Sequence, residues 1–471
     1  MPVLVSIVLL VIALSPGPPP AGPAARRPPG QRPPARLPAR LENTAVTITV
    51  GGPTGSIKPL LGVNAGPSPS GERENPDVTG HYRQAGVTSV RTHDLYGPLD
   101  LSAIYPDIAA PPEKASSYYF SDSDSAFRAI VGGGFEPYLR LGDSFNNVRV
   151  PRGDRQTENL ARAAAEVVRH YRDGPWSVHN PSWRYVEVWN EPDLAHFWPP
   201  GFEDSLPFLA RTIGLVKERF PDLKVGGPGF VVSTYKLPDR RRLVDRYCDY
   251  LNRHGVRPDF ISFHLYSQDP AEYYQAALFY REACRRAGWE NAEVHITEWN
   301  AEQRAVEYRL GKRAAAGATA CWIALQRAGV DASFFYRGND TDIRQPDFFG
   351  MLFADGRPKP QGKAFRLWSR FCRATGRLAA DTGVGLIDSE PRADGELSPL
   401  WILAGREPGG KTMLLLANIG EQEFDCRIDA SEPPASLAVT EIRNPGTEIA
   451  TSSRAGKEFK IPPLSVMLVE Y

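Results

Sequence analysis

Eight short apolar runs, alternating with longer amphipathic stretches, predict an α/β chain folded as a (β/α)8 TIM barrel with a C-terminal β-sandwich accessory domain. Three observations carry this expectation. The apolar runs follow one another between about residues 43 and 377. The stretches between them have helical periodicity, so successive strands are joined by crossovers and run parallel. From about residue 378 the helical period stops, and short strand-like runs separated by Gly/Pro turns replace it.

The elements are taken in order. Residues 3–14 read VLVSIVLLVIAL, too short for a comfortable membrane span but suited to the apolar core of a secretory signal. No Lys or Arg precedes the run, so an uncleaved anchor is the alternative. SPGPPPAGPAARRPPGQRPPARLPAR follows at 15–40. Its prolines remove donors and fix φ, so it reads as an extended tether. The segment 1–42 is thus expected to export the chain or hold it at the cell envelope, with the N-terminus a candidate membrane tether.

The strand signals are LLGVNAG (60–66), VTSVRTHD (87–94), FEPYLRLG (135–142), RYVEVWNEPD (184–193), LKVGGPG (223–229), FISFHLYS (260–267), VHITEWN (294–300) and ASFFYRGND (332–340). Amphipathic helices are expected at 158–173, 206–220, 271–288 and 312–329. Eight such units in 43–377 fit one barrel. In 378–471, strands are expected at 400–406, 411–420, 424–430, 436–444 and 464–471. TAVTITVG (44–51) is a candidate extra strand for the sandwich, within the stretch 43–52.

Composition excludes several classes. The 471 residues carry 55 basic and 55 acidic side chains, so there is no cationic surplus to replace phosphate counterions, and no nucleic-acid partner is expected. The five cysteines form no C-x-x-C pair, and most read as small buried hydrophobes. The eight histidines show no H-E-x-x-H, so no metal is expected, and no glycine-rich motif matches a nucleotide loop, so no cofactor is expected. A serine-hydrolase elbow is absent too. SDSDS (121–125) reads as the start of a helix.

The chemistry-bearing residues gather at the C-terminal ends of the strand signals, the face that carries active sites in such barrels. Glu191 closes the fourth run and Glu298 lies near the end of the seventh. Two carboxyl groups facing across a sugar-sized pocket are what glycoside hydrolysis needs. Arg91 is a fixed cation for Glu298, and Tyr266 is a hydrogen-bond donor to the same carboxylate. Asn190 is placed to bond the hydroxyl beside the reacting carbon. His93 and His264 are candidates for ring hydroxyls. Trp189, Trp299 and Tyr336 are candidate aromatic walls, with Trp189 equally suited to the packed layers. Asn300 completes the rim set. Each residue has a plainer reading, since polar residues after strands also cap helices.

At these positions the sequence resembles glycoside hydrolase family 39, which includes β-xylosidases and α-L-iduronidases. WNEPDLAHFW (189–198) is similar to the family's acid/base motif, and TEWN (297–300) to its nucleophile motif. VRTHD (90–94), FHLY (263–266), FGMLFADGRPKPQGKAF (349–365) and the closing SVMLVEY resemble further family segments, in order. The resemblance implies a retaining, β-xylosidase-like hydrolase of O-glycosidic bonds in oligo- or polysaccharides, with Glu298 as nucleophile and Glu191 as acid/base. One departure is SFFYRGNDTDIRQPD (333–347), where the family's xylosidases have a Trp-containing segment followed by acidic residues. It places Xyl specificity in question and offers Arg337 either to a uronate carboxylate or to Asp340 or Asp342. An endo-acting or uronate-directed hydrolase, and a catalytically silent carbohydrate-binding protein, are the alternatives.

Overall fold

The computed structural model describes residues 43–67, 77–93, 97–145, 148–174, 183–302, 304–341, 348–382, 398–432, 434–443 and 447–471. The apolar run, the Pro/Arg tether, Asp94 and Asp342 lie outside the described residues. The chain enters through β1 (Ala45–Ser56) and then lays down β2 (Gly62–Asn64), β3 (Ser89–Arg91), β4 (Glu136–Leu141), β5 (Tyr185–Val188), β6 (Lys224–Phe230), β7 (Phe260–Tyr266), β8 (Glu293–Asn300) and β9 (Ala332–Phe335). β2 to β9 form a closed barrel in chain order, with β9 pairing back onto β2 and each pair parallel. All eight strand signals therefore correspond to barrel strands. The hydrogen-bonded segments are shorter than several of the apolar runs, because those runs extend into the loops that carry the site.

Between the strands run α1 (Thr79–Ala85), α2 (Leu101–Ile104), α3 (Ser121–Gly132), α4 (Gly153–Asp173), α5 (Phe202–Arg219), α6 (Val232–Lys236), α7 (Arg242–Arg253), α8 (Pro270–Arg286), α9 (Ala314–Arg327) and α10 (Pro360–Phe371). The periodicity of α4 buries Leu160, Ala164, Val167, Val168 and Tyr171 against the barrel and leaves its other face to solvent. α8 starts where Asp269 accepts from Ala271 N–H at 2.8 Å and Pro270 supplies a preset φ. No helix among the described residues is long and apolar enough to cross a membrane.

α9 departs from the amphipathic pattern: twelve of its fourteen residues are buried. The reason is its position between two layers, the barrel and a second sheet. That sheet comprises β10 (Gly376–Asp381), β11 (Leu400–Arg406), β12 (Thr412–Asn418), β13 (Phe424–Ala430), β14 (Ser436–Arg443), β15 (Thr447–Ala455), β16 (Glu458–Ile461) and β17 (Ser465–Glu470) together with β1, in the order β15-β14-β17-β12-β11-β10-β1-β13-β16. β1 lies between β10 and β13, antiparallel to the first and parallel to the second. Alternation along the strands splits the sheet into two faces. Trp401, Leu403, Met413, Leu415, Val466 and Leu468 join the barrel core, while Leu400, Ile402, Leu414, Leu416, Met467 and Val469 form the sandwich's own core with Ile48 and Phe424. Arg327 donates to Ile402 O at 3.0 Å, and Arg313 pairs with Glu421 at 2.6 Å, across the junction.

The cysteines Cys248, Cys284, Cys321 and Cys426 are buried and Cys372 half-buried, all as free thiols.

Candidate active site

The site is assembled on the C-terminal ends of β3, β5, β7 and β8. Arg91, the last residue of β3, is fully buried and spends its donors inside the barrel. Its Nε donates to Glu187 Oε2 at 2.6 Å, one terminal nitrogen to Asn64 Oδ1 and Glu298 Oε1, each at 2.9 Å, and the other to Asn190 Oδ1 at 2.8 Å. A guanidinium is suited to this hub, since its planar fork reaches several acceptors at once without losing its charge. The surrounding carboxylates stabilise that charge, although burial opposes it.

The Glu298 carboxylate takes Arg91 on one oxygen and the Tyr266 hydroxyl on the other, at 2.9 Å. His93 Nε2 lies 3.3 Å from the same oxygen as Arg91. β8 carries an extra residue here: Phe263 of β7 pairs with Ile296, but His264 pairs with Glu298. Such an irregularity re-aims a side chain at the end of a strand.

Glu191 sits just beyond β5 with φ +47°, two residues after Trp189 at +75°. Positive φ at bulky residues persists only where the surroundings enforce it. Here Glu191 N–H donates to Gly229 O at 3.1 Å, and Asp193 accepts from Val231 N–H at 3.1 and 3.2 Å and from the Thr234 hydroxyl. The segment after β5 is thus stitched to the segment after β6. The Glu191 carboxylate is 2.7 Å from His264 Nδ1.

One ligating atom each of Glu191, His264 and Glu298 lies within 4.8 Å of the other two, the one such group among the described residues. These are donors a cation accepts, but the Arg91 guanidinium already sits on Glu298. Burial first, then Arg140, Arg91 and Arg337, pushes His93 well below the usual imidazole range. Burial, then Arg91 and His93, does the same to His264. Both are therefore neutral rings at neutral pH. Burial and the neighbouring Glu298 push Tyr266 up, so it stays a donor.

The structure thus brings together Arg91, His93, Asn190, Glu191, His264, Tyr266 and Glu298. His264 is wholly buried and meets carboxylates, so the expected contact with ring hydroxyls is not its place. Tyr336 stands with ring centroids 6.5 Å from His93 and 6.0 Å from Tyr266, beside the carboxylate cluster, and Phe197 flanks His93 at 6.5 Å. Arg337 is buried nearby, and its charge acts on both His93 and Asp340. Asp340 is ion-paired with Lys359 at 2.6 Å.

Two expected substrate-binding residues, Trp299 and Asn300, are corrected. Trp299 points outward, because the pleat that turns Glu298 inward turns its neighbour away. It donates to Ser333 Oγ at 2.7 Å and packs edge-on to Trp322, Phe335 and Tyr273. Asn300 holds the loop after β9, donating to Tyr336 O and Phe349 O and accepting from Gln361. Trp189 takes the packed-layer alternative, against Trp198 and Phe208. The sequence reading missed Asn64, Glu187 and Asp193, whose signal was a polar residue inside an otherwise apolar run or beside the motif.

Comparison with known proteins joins this geometry to a family. Residues 76–299 match the model of glycosyl hydrolases family 39, a span that includes Arg91, Glu191 and Glu298. Over that span the chain is similar to this family. A β-xylosidase of Caldicellulosiruptor saccharolyticus is 26% identical over 212 residues, covering 39% of this chain and 41% of that protein. A β-xylosidase of Geobacillus stearothermophilus is 25% identical over 245 residues, covering 46% of this chain and 47% of that protein. The chain thus spans less than half the length of these curated relatives. Among solved structures, a glucosidase from Croceicoccus marinus superposes with a TM-score of 0.71 at 22% identity, covering 90% of this chain and 98% of that one. A monomeric β-xylosidase from Caulobacter crescentus gives 0.66 at 15%, covering 90% and 99%. These superpositions show that the chain shares its overall fold with both structures.

Proposed function

We propose that the protein is a retaining glycoside hydrolase of the β-xylosidase type, with Glu298 as nucleophile and Glu191 as acid/base. The observation that carries the reading is the spacing of the two carboxylates, which approach within 4.8 Å. Retaining enzymes hold the pair about 5–5.5 Å apart, whereas inverting ones need about 6.5–9.5 Å to admit a water. In the first step Glu191 gives its proton to the leaving oxygen while a Glu298 oxygen bonds to the anomeric carbon. In the second, Glu191 takes a proton from water, whose oxygen displaces Glu298 from that carbon. Arg91 and Tyr266 hold the nucleophile in place by donating to both of its oxygens. Asn190, fixed by Arg91, is placed for the hydroxyl beside the reacting carbon.

The named activities of the family relatives support a β-xyloside as the substrate. The test is the intact mass of the protein after incubation with 2-deoxy-2-fluoro glycosides, xylosyl, arabinosyl, galactosyl and uronyl among them. A one-to-one xylosyl adduct on Glu298 is expected. A uronyl adduct alone would replace the xyloside reading with a uronate-directed one, in which the buried Arg337 is the candidate partner of the uronate carboxylate. No adduct, with no turnover of aryl glycosides, would sink the enzyme reading.

We also propose export to the cell exterior or envelope, supported by the apolar run at 3–14 and the tether that follows it. Fractionation of the native host tests this, and a protein wholly in the cytosolic fraction would refute it.

A further inference from the structure

Glu187 lies four residues before Glu191, inside β5, and is wholly buried. Its Oε2 is taken by Arg91, but its Oε1 makes no hydrogen bond, and neither does Nε2 of His264. Both atoms border one point beside β6, the strand between them. A Cβ built on Gly229 would stand 3.0 Å from His264 Nε2 and 3.6 Å from Glu187 Oε1. Gly229 has φ +67°, where a side chain is strained, so the backbone itself keeps that point clear. A carboxylate oxygen, which only accepts, therefore lies on the Nε2 side of the His264 ring.

We infer that Glu187 is a positioning residue that acts through His264: it draws the single ring proton to Nε2, leaves Nδ1 as an acceptor, and so keeps Glu191 in its acid form. The inference rests on the reading of Glu191 as acid/base and deepens it. A neutral imidazole carries one N–H, and an Nδ1 acceptor 2.7 Å from Glu191 Oε1 is satisfied by the proton of Glu191.

Charge counting points the same way. The groups facing His264 are Arg91 and His93 near β3, Glu187 and Glu191 on β5 and the segment after it, Glu298 on β8, and Tyr266 on its own strand. Glu187 and Glu298 already share the one guanidinium. A third negative charge on Glu191, close to Glu298, is resisted by both. Glu298 Oε2 is 3.5 Å from Nδ1, but the Tyr266 hydroxyl holds that oxygen at 2.9 Å.

Glu187→Gln inverts the arrangement. Arg91 Nε requires the amide oxygen at the Oε2 position, so the amide NH2 turns toward His264 Nε2. A donor now faces that nitrogen, and one negative charge is gone. Nδ1 then carries the proton and donates to an ionised Glu191.

The experiment is ¹⁵N NMR of the full chain labelled at histidine, with the His264 signals assigned by their loss in His264→Gln. The wild type is expected to show the Nε2–H tautomer and Glu187→Gln the Nδ1–H tautomer. An Nδ1–H tautomer in the wild type would overturn the inference, whatever the variant does. In kinetics on aryl β-xylosides, Glu187→Gln is expected to lose on the order of 10²-fold with poor leaving groups and little with good ones. The basic limb of its pH profile moves to lower pH, and Glu187→Asp restores part of the loss. A uniform loss with a fixed limb would show that Glu187 only orients Arg91. Absence of turnover in the wild type would sink the glycosidase reading, and the ring-proton result would still decide the arrangement.

Discussion

The two ends of the barrel each bury a histidine against a glutamate, and they treat it in opposite ways. At the N-terminal end, His295 uses both nitrogens: one meets the Tyr138 hydroxyl at 2.9 Å, the other Glu293 Oε2 at 2.9 Å. Tyr185 also donates to Glu293, and Phe260 stacks on the ring with centroids 4.2 Å apart. At the C-terminal end, His264 leaves Nε2 without a partner, Glu187 leaves Oε1 without one, and Trp189 and Glu191 hold positive φ. Buried groups left unsatisfied cost about 1–3 kcal/mol each. One end is arranged for stability, and the other keeps strain and unspent polarity at the face proposed to carry the chemistry.

Substitutions at the two ends should therefore separate rate from stability. Glu298→Gln at the upper end is expected to lower kcat on the order of 10⁴-fold while the thermal midpoint moves little, because the shape and the Tyr266 and Arg91 contacts largely survive. Steady-state rates on an aryl β-xyloside and a melting curve check both halves. Near-wild-type turnover would remove Glu298 from its role. Phe260→Ala at the lower end is expected to do the reverse. It deletes a fully buried ring and should cost about 3–5 kcal/mol in urea unfolding, with kcat unchanged for the folded fraction. A large fall in kcat would show that the two ends are mechanically coupled.

The same contrast explains what the sequence made legible. Barrel strands announce themselves because both sides of each strand are buried, which makes short apolar runs such as FISFHLY. Glu191 and Glu298 stand out because each lies near the end of such a run. Glu187 was overlooked because it lies within one, although a carboxylate inside an otherwise apolar strand is itself the clue that it meets a buried partner. Trp299 was misplaced by its neighbourhood in the motif, although strand parity alone turns it away from Glu298. The sheet edge was hard to read for another reason. β15 (TEIATSSRA) is polar along most of its length and lacks the apolar alternation that marked β11 and β12.

A smaller effect is expected from pH at the lower end. Burial opposes ionisation of Glu293, but the hydrogen bond and charge of His295 and the charge of Lys224 outweigh it and draw the carboxyl down to about 2. A carboxyl whose folded value is depressed stabilises the fold above its unfolded value and loses that contribution as pH falls toward about 2. The wild-type midpoint should therefore drop between about pH 4.5 and 2, and Glu293→Gln should flatten that drop while lowering the midpoint at neutral pH. A parallel pair of curves would remove Glu293 from acid stability.

The smallest expected effect has the opposite sign and belongs to the upper end. Burial pushes Asp193 up to about 6, despite the Thr234 and Val231 hydrogen bonds. Asp143, beyond β4, is also pushed to about 6, by burial and by Asp100. For a carboxyl raised in the folded state, the stabilising contribution is complete below the unfolded value of about 3.9 and is lost as pH rises through about 6. The upper end should thus weaken over the interval in which the lower end has already reached full strength. Asp193→Asn cannot ionise and still offers an oxygen to Val231 N–H. Its midpoint is expected to decline less than the wild type between about pH 4 and 6. Melting curves across that interval measure the difference, and a steeper decline in the variant would mean that the Asp193 charge supports the segment after β5 rather than straining it.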